Sequence, residues 1–113
     1  MDYRYGTFSD EQVRQAALLM HNEIHRLLLY KDSQITELIF ADDEEFFAHF
    51  ERLLYRFGGM NSMFNEPPLM IAFMSSLEAA YLECKKPDFQ FKKFRKLILD
   101  CHGYLRTMFG EVR

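Results

Sequence analysis

Arg56-Phe57-Gly58-Gly59-Met60-Asn61-Ser62-Met63-Phe64-Asn65-Glu66-Pro67-Pro68 is the stretch on which the fold turns. Two glycines, two asparagines and two prolines mark it as a connection, yet Met60, Met63 and Phe64 stand among them. Glycine adopts the left-handed conformation that closes a helix, so Gly58-Gly59 predicts the end of one helix. Asn65 is a good N-cap for the next, and Pro67 and Pro68 are tolerated in its first turn, where an N–H has no intrahelical partner. Phe64 is then placed to fold back onto Leu69 as a hydrophobic staple. Met60 can follow the glycine cap with an apolar contact. Met63 has no such local role, and a flexible thioether suits an adaptable contact surface.

Working outward, the periodicity predicts helices on both sides. Ser9 and Gln12 make a capping-box pattern, with Phe8 and Val13 at the staple positions and Asp10 and Glu11 in the first turn. Val13, Ala17, Met20, Ile24, Leu27 and Leu28 share one face of a helix that runs to about Tyr30. Ile35, Leu38 and Ile39 predict a short extra helix over 33–40. The acids of Asp42-Asp43-Glu44-Glu45 open the second long helix, which would bury Phe46, Phe47, Phe50, Leu53, Leu54 and Phe57. The third runs to about Lys85, before Pro87. Asp88 is expected to cap the fourth, with Phe91, Phe94, Leu97, Ile98, Cys101, Leu105 and Met108 on one side and a stop near Gly110. The fold class read from this is all-α: a four-helix up-down bundle with an additional short helix between the first two long ones. It forms one domain, residues 1–113, with 1–8 as a lead segment.

Composition agrees with a packed helical domain. The chain has 113 residues, 49% of them hydrophobic, with twelve Phe and seven Met. That is enough for a core without disulfide staples. Cys84 and Cys101 both fall on apolar stripes and have no CxxC partner. They read as reduced core thiols, with a bridge between them as the alternative. The stretch MDYRYGTFSDEQ lacks the basic start and apolar run of a signal peptide, and no apolar run approaches the ~20 residues of a membrane span. A cytoplasmic location is the expectation.

The third helix is apolar on two sides. Leu69, Met70, Phe73, Leu77, Ala80, Tyr81 and Cys84 form a core face, while Ile71, Ala72, Ala79 and Leu82 lie opposite, with Ser75 and Glu78 among them. A helix apolar all round is covered all round. The cover is either another chain or a lid formed by residues 1–8 or 33–40. The interface candidates are therefore Met63, Ile71, Ser75, Glu78 and Leu82.

Charge is uneven. Residues 1–84 hold six Lys/Arg against fourteen Asp/Glu, a net −8, and residues 85–113 hold eight against three, a net +5. Lys92, Arg95, Lys96 and Arg106 form a basic stripe on the fourth helix. It reads as a solvated face or as a contact for an acidic protein surface, such as the Asp42–Glu45 cluster of a second copy. Phe91 and Phe94 project toward the core and not beside these charges, which argues against nucleic acid as the partner.

Chemistry-bearing patterns are sparse. His21 and His25, spaced i, i+4, are the metal candidates, and His49, Glu83 or His102 would have to complete the set. Arg14 and His21, with six residues between them on one helix, match a spacing used by two-protomer helical ribonucleases. Gly58-Gly59 is no phosphate loop, because no GKS/GKT follows and no strand precedes it. Cys101 and His102 are neighbours on a helix and diverge by about 100°. No cofactor and no catalytic residue is expected. The leading functional expectation is a non-enzymatic interaction domain, a homodimer or a subunit or inhibitor in a complex. The alternatives are a ribonuclease or metal-binding protein using Arg14, His21 and His25, or nucleic-acid binding through the fourth helix.

Overall fold

A computed structural model describes residues 9–109 in full, together with the backbone of 2–3 and 6–7. Four helices make the fold: α1 (Asp10–Lys31), α2 (Asp43–Met63), α3 (Pro68–Lys85) and α4 (Phe91–Phe109). Before them, β1 (Asp2–Tyr3) and β2 (Gly6–Thr7) pair antiparallel, with Asp2 opposite Thr7 and Tyr3 opposite Gly6. The all-α class stands for the body of the chain. The staple residue Phe8, the stop at Gly110 and the proposed lid over 1–8 lie outside the described residues.

α1 begins as its sequence dictates. The Ser9 hydroxyl accepts the Gln12 N–H at 3.1 Å, and the Gln12 side chain accepts the Ser9 N–H at 2.9 Å. Each satisfies an amide that the first turn would leave without a partner. All six predicted core residues of α1 are buried. In α2, Phe46, Phe50, Leu53 and Phe57 are buried, with Phe47 and Leu54 packed against them. In α3 the buried set is Met70, Phe73, Leu77, Ala80 and Cys84, joined by Glu83, and in α4 it is Phe94, Ile98, Cys101 and Leu105, joined by His102.

The glycine pair does not end α2. The helix passes through Gly58 and Gly59 to Met63. The reversal falls on Asn65 (φ 65°) and Glu66 (φ 51°), both left-handed. The Glu66 N–H bonds the Asn61 carbonyl at 2.9 Å and the Asn65 N–H bonds the Ser62 carbonyl at 3.2 Å, the paired closure of a Schellman motif. Asn65 thus closes α2 and does not cap α3, whose N-cap is Pro67, with no side-chain hydrogen bond.

Two further expectations are corrected. Residues 33–40 form no helix. The Asp32 side chain accepts the Gln34 N–H at 3.0 Å and the Asp32 carbonyl accepts the Ile35 N–H at 3.1 Å, so the chain makes one turn and leaves it. A run this short cannot recover the cost of helix nucleation by itself. Its anchor is Phe40, 4% exposed, while Leu38 stands 83% exposed. The start of α4 is also later than Asp88. The Phe94 N–H bonds the Gln90 carbonyl, and the Gln90 N–H is accepted by Glu83 of α3 at 3.1 Å.

α1 packs on α2 and α4, and α3 packs on α2 and α4. The α3–α4 seam is the most extensive and α1–α2 the least. In the first, the Cys101 thiol donates to the Phe73 carbonyl at 3.6 Å.

Candidate functional site

The four histidines separate into two groups. His49 on α2 bonds Glu23 on α1 at 2.9 Å, and Arg26 approaches the same carboxylate at 3.8 Å. This is a cross-link between two helices. His21, His25 and His102 gather instead at the α1–α4 seam. The His21 and His102 ring centroids are 4.0 Å apart, His25 and His102 5.7 Å, and His21 and His25 6.2 Å. His102 is 4% exposed, and neither of its ring nitrogens has a hydrogen-bond partner among the described residues.

His21 and His102 meet ring over ring, at an interplanar angle of 41°. Metal ligation needs nitrogens that converge on one point at ~2.0–2.1 Å. Among the described residues, no group of three or more His, Cys, Asp or Glu side chains is arranged to hold a metal ion. Of the side chains considered as completing ligands, His102 comes to the pair, while His49 and Glu83 are engaged elsewhere.

The buried imidazole is held neutral. Burial, then the neighbouring His21, His25 and Arg106, push the His102 pKa down to about 4. Burial and then His21 lower that of His25. The burial of His102 was readable in the spacing. It follows Ile98 by four positions and precedes Leu105 by three, which places it on the buried stripe of α4.

Arg14 does not join the cluster. It is exposed and pairs with Glu11 of its own helix at 3.7 Å. Along α1 it stands about 10 Å from His21 at 1.5 Å per residue. Cys84 and Cys101 are free and buried, and burial pushes both thiols up to about 12. A thiol held protonated is a poor nucleophile.

The outer face of α3 is bare among the described residues. Ile71 is 49% and Leu82 64% exposed, with Ser75 and Glu78 exposed between them. Leu82 lines a shallow groove with Leu54, Glu78, Tyr81 and Lys85, between α2 and α3. The 33–40 segment does not cover it, because Phe40 packs its ring on Tyr30, Phe46 and His49. Met63 belongs to another groove, lined also by Gln12, Val13, Ala16, Met60 and Phe64. The connection quoted at the outset therefore lies against the start of α1, and Phe64 also meets the Phe109 ring at 6.1 Å.

The basic stripe is partly neutralised. Lys96 bonds Asp100 at 2.9 Å, and Lys92, Arg95, Lys96, Leu99 and Asp100 line one shallow surface. Phe94 is fully buried, so it offers no face for stacking beside these charges.

No known family model matches the chain, and neither a curated protein nor a solved structure is significantly similar to it. No described helix is long and apolar enough to cross a membrane.

Proposed function

We propose that this chain is a non-enzymatic interaction domain that pairs with a second copy of itself through the outer face of α3. The observation that carries the reading is the exposure of Ile71 and Leu82 on a helix whose opposite face is fully used by the core. The half-buried Tyr81 of α3 and Leu54 of α2 extend the apolar surface onto α2. Met63, on a separate groove against α1, is a peripheral contributor in this reading.

The frame is an up-down four-helix bundle. Principal extents of 42 × 23 × 22 Å suit a two-by-two stack of helices about 30 Å long. Short connections at 64–67 and 86–90 favour antiparallel neighbours. Charge would set the orientation of the pair: the acidic Asp42–Glu45 turn of one copy would face the Lys92, Arg95 and Arg106 stripe of the other. Buried, unreactive thiols fit a reducing, cytoplasmic setting. Nucleic acid is the weaker reading of the stripe, for want of an exposed aromatic beside it.

Sedimentation and native mass spectrometry test the proposal. The wild type should run as a multiple of 13.6 kDa. The Ile71→Asp, Leu82→Asp double variant should run as a monomer with its helical circular dichroism intact. A wild type that is monomeric at high micromolar concentration, or a double variant that still assembles, rejects the α3 face.

A further inference from the structure

We infer that His21, His25 and His102 form an acid-sensitive joint, whose protonation separates α1 from α4 while α4 stays docked on α3. The inference stands on the packing of two imidazoles, the half-buried His21 and the exposed His25, against a third that is buried. His102 is 4% exposed with both nitrogens unpartnered among the described residues, and the His21 and His25 rings lie 4.0 and 5.7 Å from it. A neutral imidazole tolerates such a place at the cost of an unmade hydrogen bond. An imidazolium does not, because burial takes its charge out of water.

The groups around His102 make the charge harder to accept. From α1 they are His21 and His25, and from its own helix Arg106. All three oppose a positive charge on the His102 ring. Toward α3, α4 presents the Cys101 thiol, which donates to the Phe73 carbonyl and offers no counter-charge. Among the described residues, the only polar contact of His21 is a loose 3.5 Å approach to the Asn22 amide oxygen. Among the described residues, the groups that act on His102 include no carboxylate to offset a charge gained in acid. The neutral form is favoured in place, in line with a His102 pKa held near 4. Protonation becomes easy once the ring reaches water, which requires the seam to open.

The rest of the molecule decides which side yields. The α3–α4 seam is the most extensive in the fold, and Glu83 of α3 additionally holds the Gln90 N–H at the start of α4. α1 keeps a tie to α2 through His49, which bonds the Glu23 carboxylate at 2.9 Å. The α1–α4 contact is thus the one that loses on acidification.

The test follows small-angle scattering, near-ultraviolet circular dichroism and dye binding to exposed apolar surface from pH 7.5 to 4.5. The wild type should expand and bind dye below about pH 6 while its helical signal persists. His102→Phe should lower the midpoint by about one pH unit or more, since an apolar ring removes the buried titrating group. His21→Gln with His25→Gln should lower it by less. If His102→Phe is already expanded at pH 7.5, the double glutamine variant decides alone. A wild type that stays compact to pH 4.5, or variants that open at the wild-type midpoint, overturns the joint. Zinc that raises the melting temperature at pH 7.5 only when His102 is present would also overturn it, in favour of a metal site.

Discussion

The Glu83 carboxylate, 5% exposed on α3, accepts the backbone N–H of Gln90 at 3.1 Å, at the foot of α4. One helix thereby supplies the cap of the next. The charge sits where the unpaired amides of α4 begin, which is the end that favours an anion. Lys86 approaches the other oxygen at 3.4 Å and keeps the carboxylate from being an isolated buried charge. Replacing Glu83 by Ala should cost about 1–3 kcal/mol, the range for a lost charged hydrogen bond that leaves a donor unmet. Glu83→Gln retains an acceptor and should cost less. Urea midpoints at constant slope check both. Equal losses in the two variants would assign the effect to packing and not to the cap.

Glycines at 58 and 59 stand inside a helix, and two non-glycine residues stand in left-handed conformations at 65 and 66. Both arrangements are locally unfavourable. Nothing lies within 4 Å of a Cβ added at Gly59, and at Gly58 the nearest atom is the Met74 Cε at 4.0 Å. Gly59→Ala should stabilise the protein by about 0.5–1 kcal/mol, the helix-interior difference between the two residues. Glu66→Gly should also stabilise it, because glycine carries no Cβ penalty at φ 51° and keeps the N–H that closes α2. Thermal melts of the two single variants and their combination provide the check. The sites lie in different turns, so the gains should add.

Those two glycines also show where the sequence stopped being legible. The core faces were readable, since burial follows the 3.6-residue period and Met20, Phe50, Phe73 and Ile98 all fall on it. The point of reversal was not, because asparagine can also take the left-handed position and tertiary contacts choose between candidates. Ile35, Leu38 and Ile39 carried a helical spacing over a run too short to nucleate, and Phe40 anchors that segment in place of a turn of helix. The histidine cluster needed the α1–α4 pairing, which no local pattern encodes. His102 could have been placed in the core from its own stripe, but not beside His21.

Lys31, at the end of α1, lies within 6 Å of four ring centroids: 5.6 Å from Tyr30, 5.0 Å from Phe46, 5.7 Å from Phe47 and 5.1 Å from Phe89. Asp43 adds an ion pair at 3.8 Å. The ammonium joins α1, α2 and the α3–α4 connection through one charge. Its side chain is only 16% exposed, so the cation–π attraction is weakly screened. Lys31→Met keeps the length and removes the charge. It should cost about 1–2 kcal/mol, read as a lower urea midpoint. An unchanged midpoint would mean that the rings hold one another without the ammonium.

Stability against pH should form a plateau bounded by named groups. His102 falls from the ordinary 6.5 to about 4 on folding. Between those values the unfolded chain binds the extra proton, so stability is complete above about pH 6.5 and declines as pH drops toward 4. The loss attributable to this group is on the order of 3 kcal/mol across that window. The thiols bound the other side. Cys84 and Cys101 rise from 9.0 to about 12. The folded chain retains their protons where the unfolded chain releases them, so stability declines as pH rises above about 9. Tyr30, half-buried and donating to Asp43 at 2.7 Å, rises to about 12 and adds to the alkaline limb. Urea midpoints from pH 4.5 to 10.5 should therefore be flat between about 6.5 and 9. His102→Phe should extend the plateau to lower pH and leave the alkaline edge in place, whereas Cys84→Ser with Cys101→Ser should flatten only the alkaline edge. An acid limb unchanged by His102→Phe would rule out this histidine as its cause.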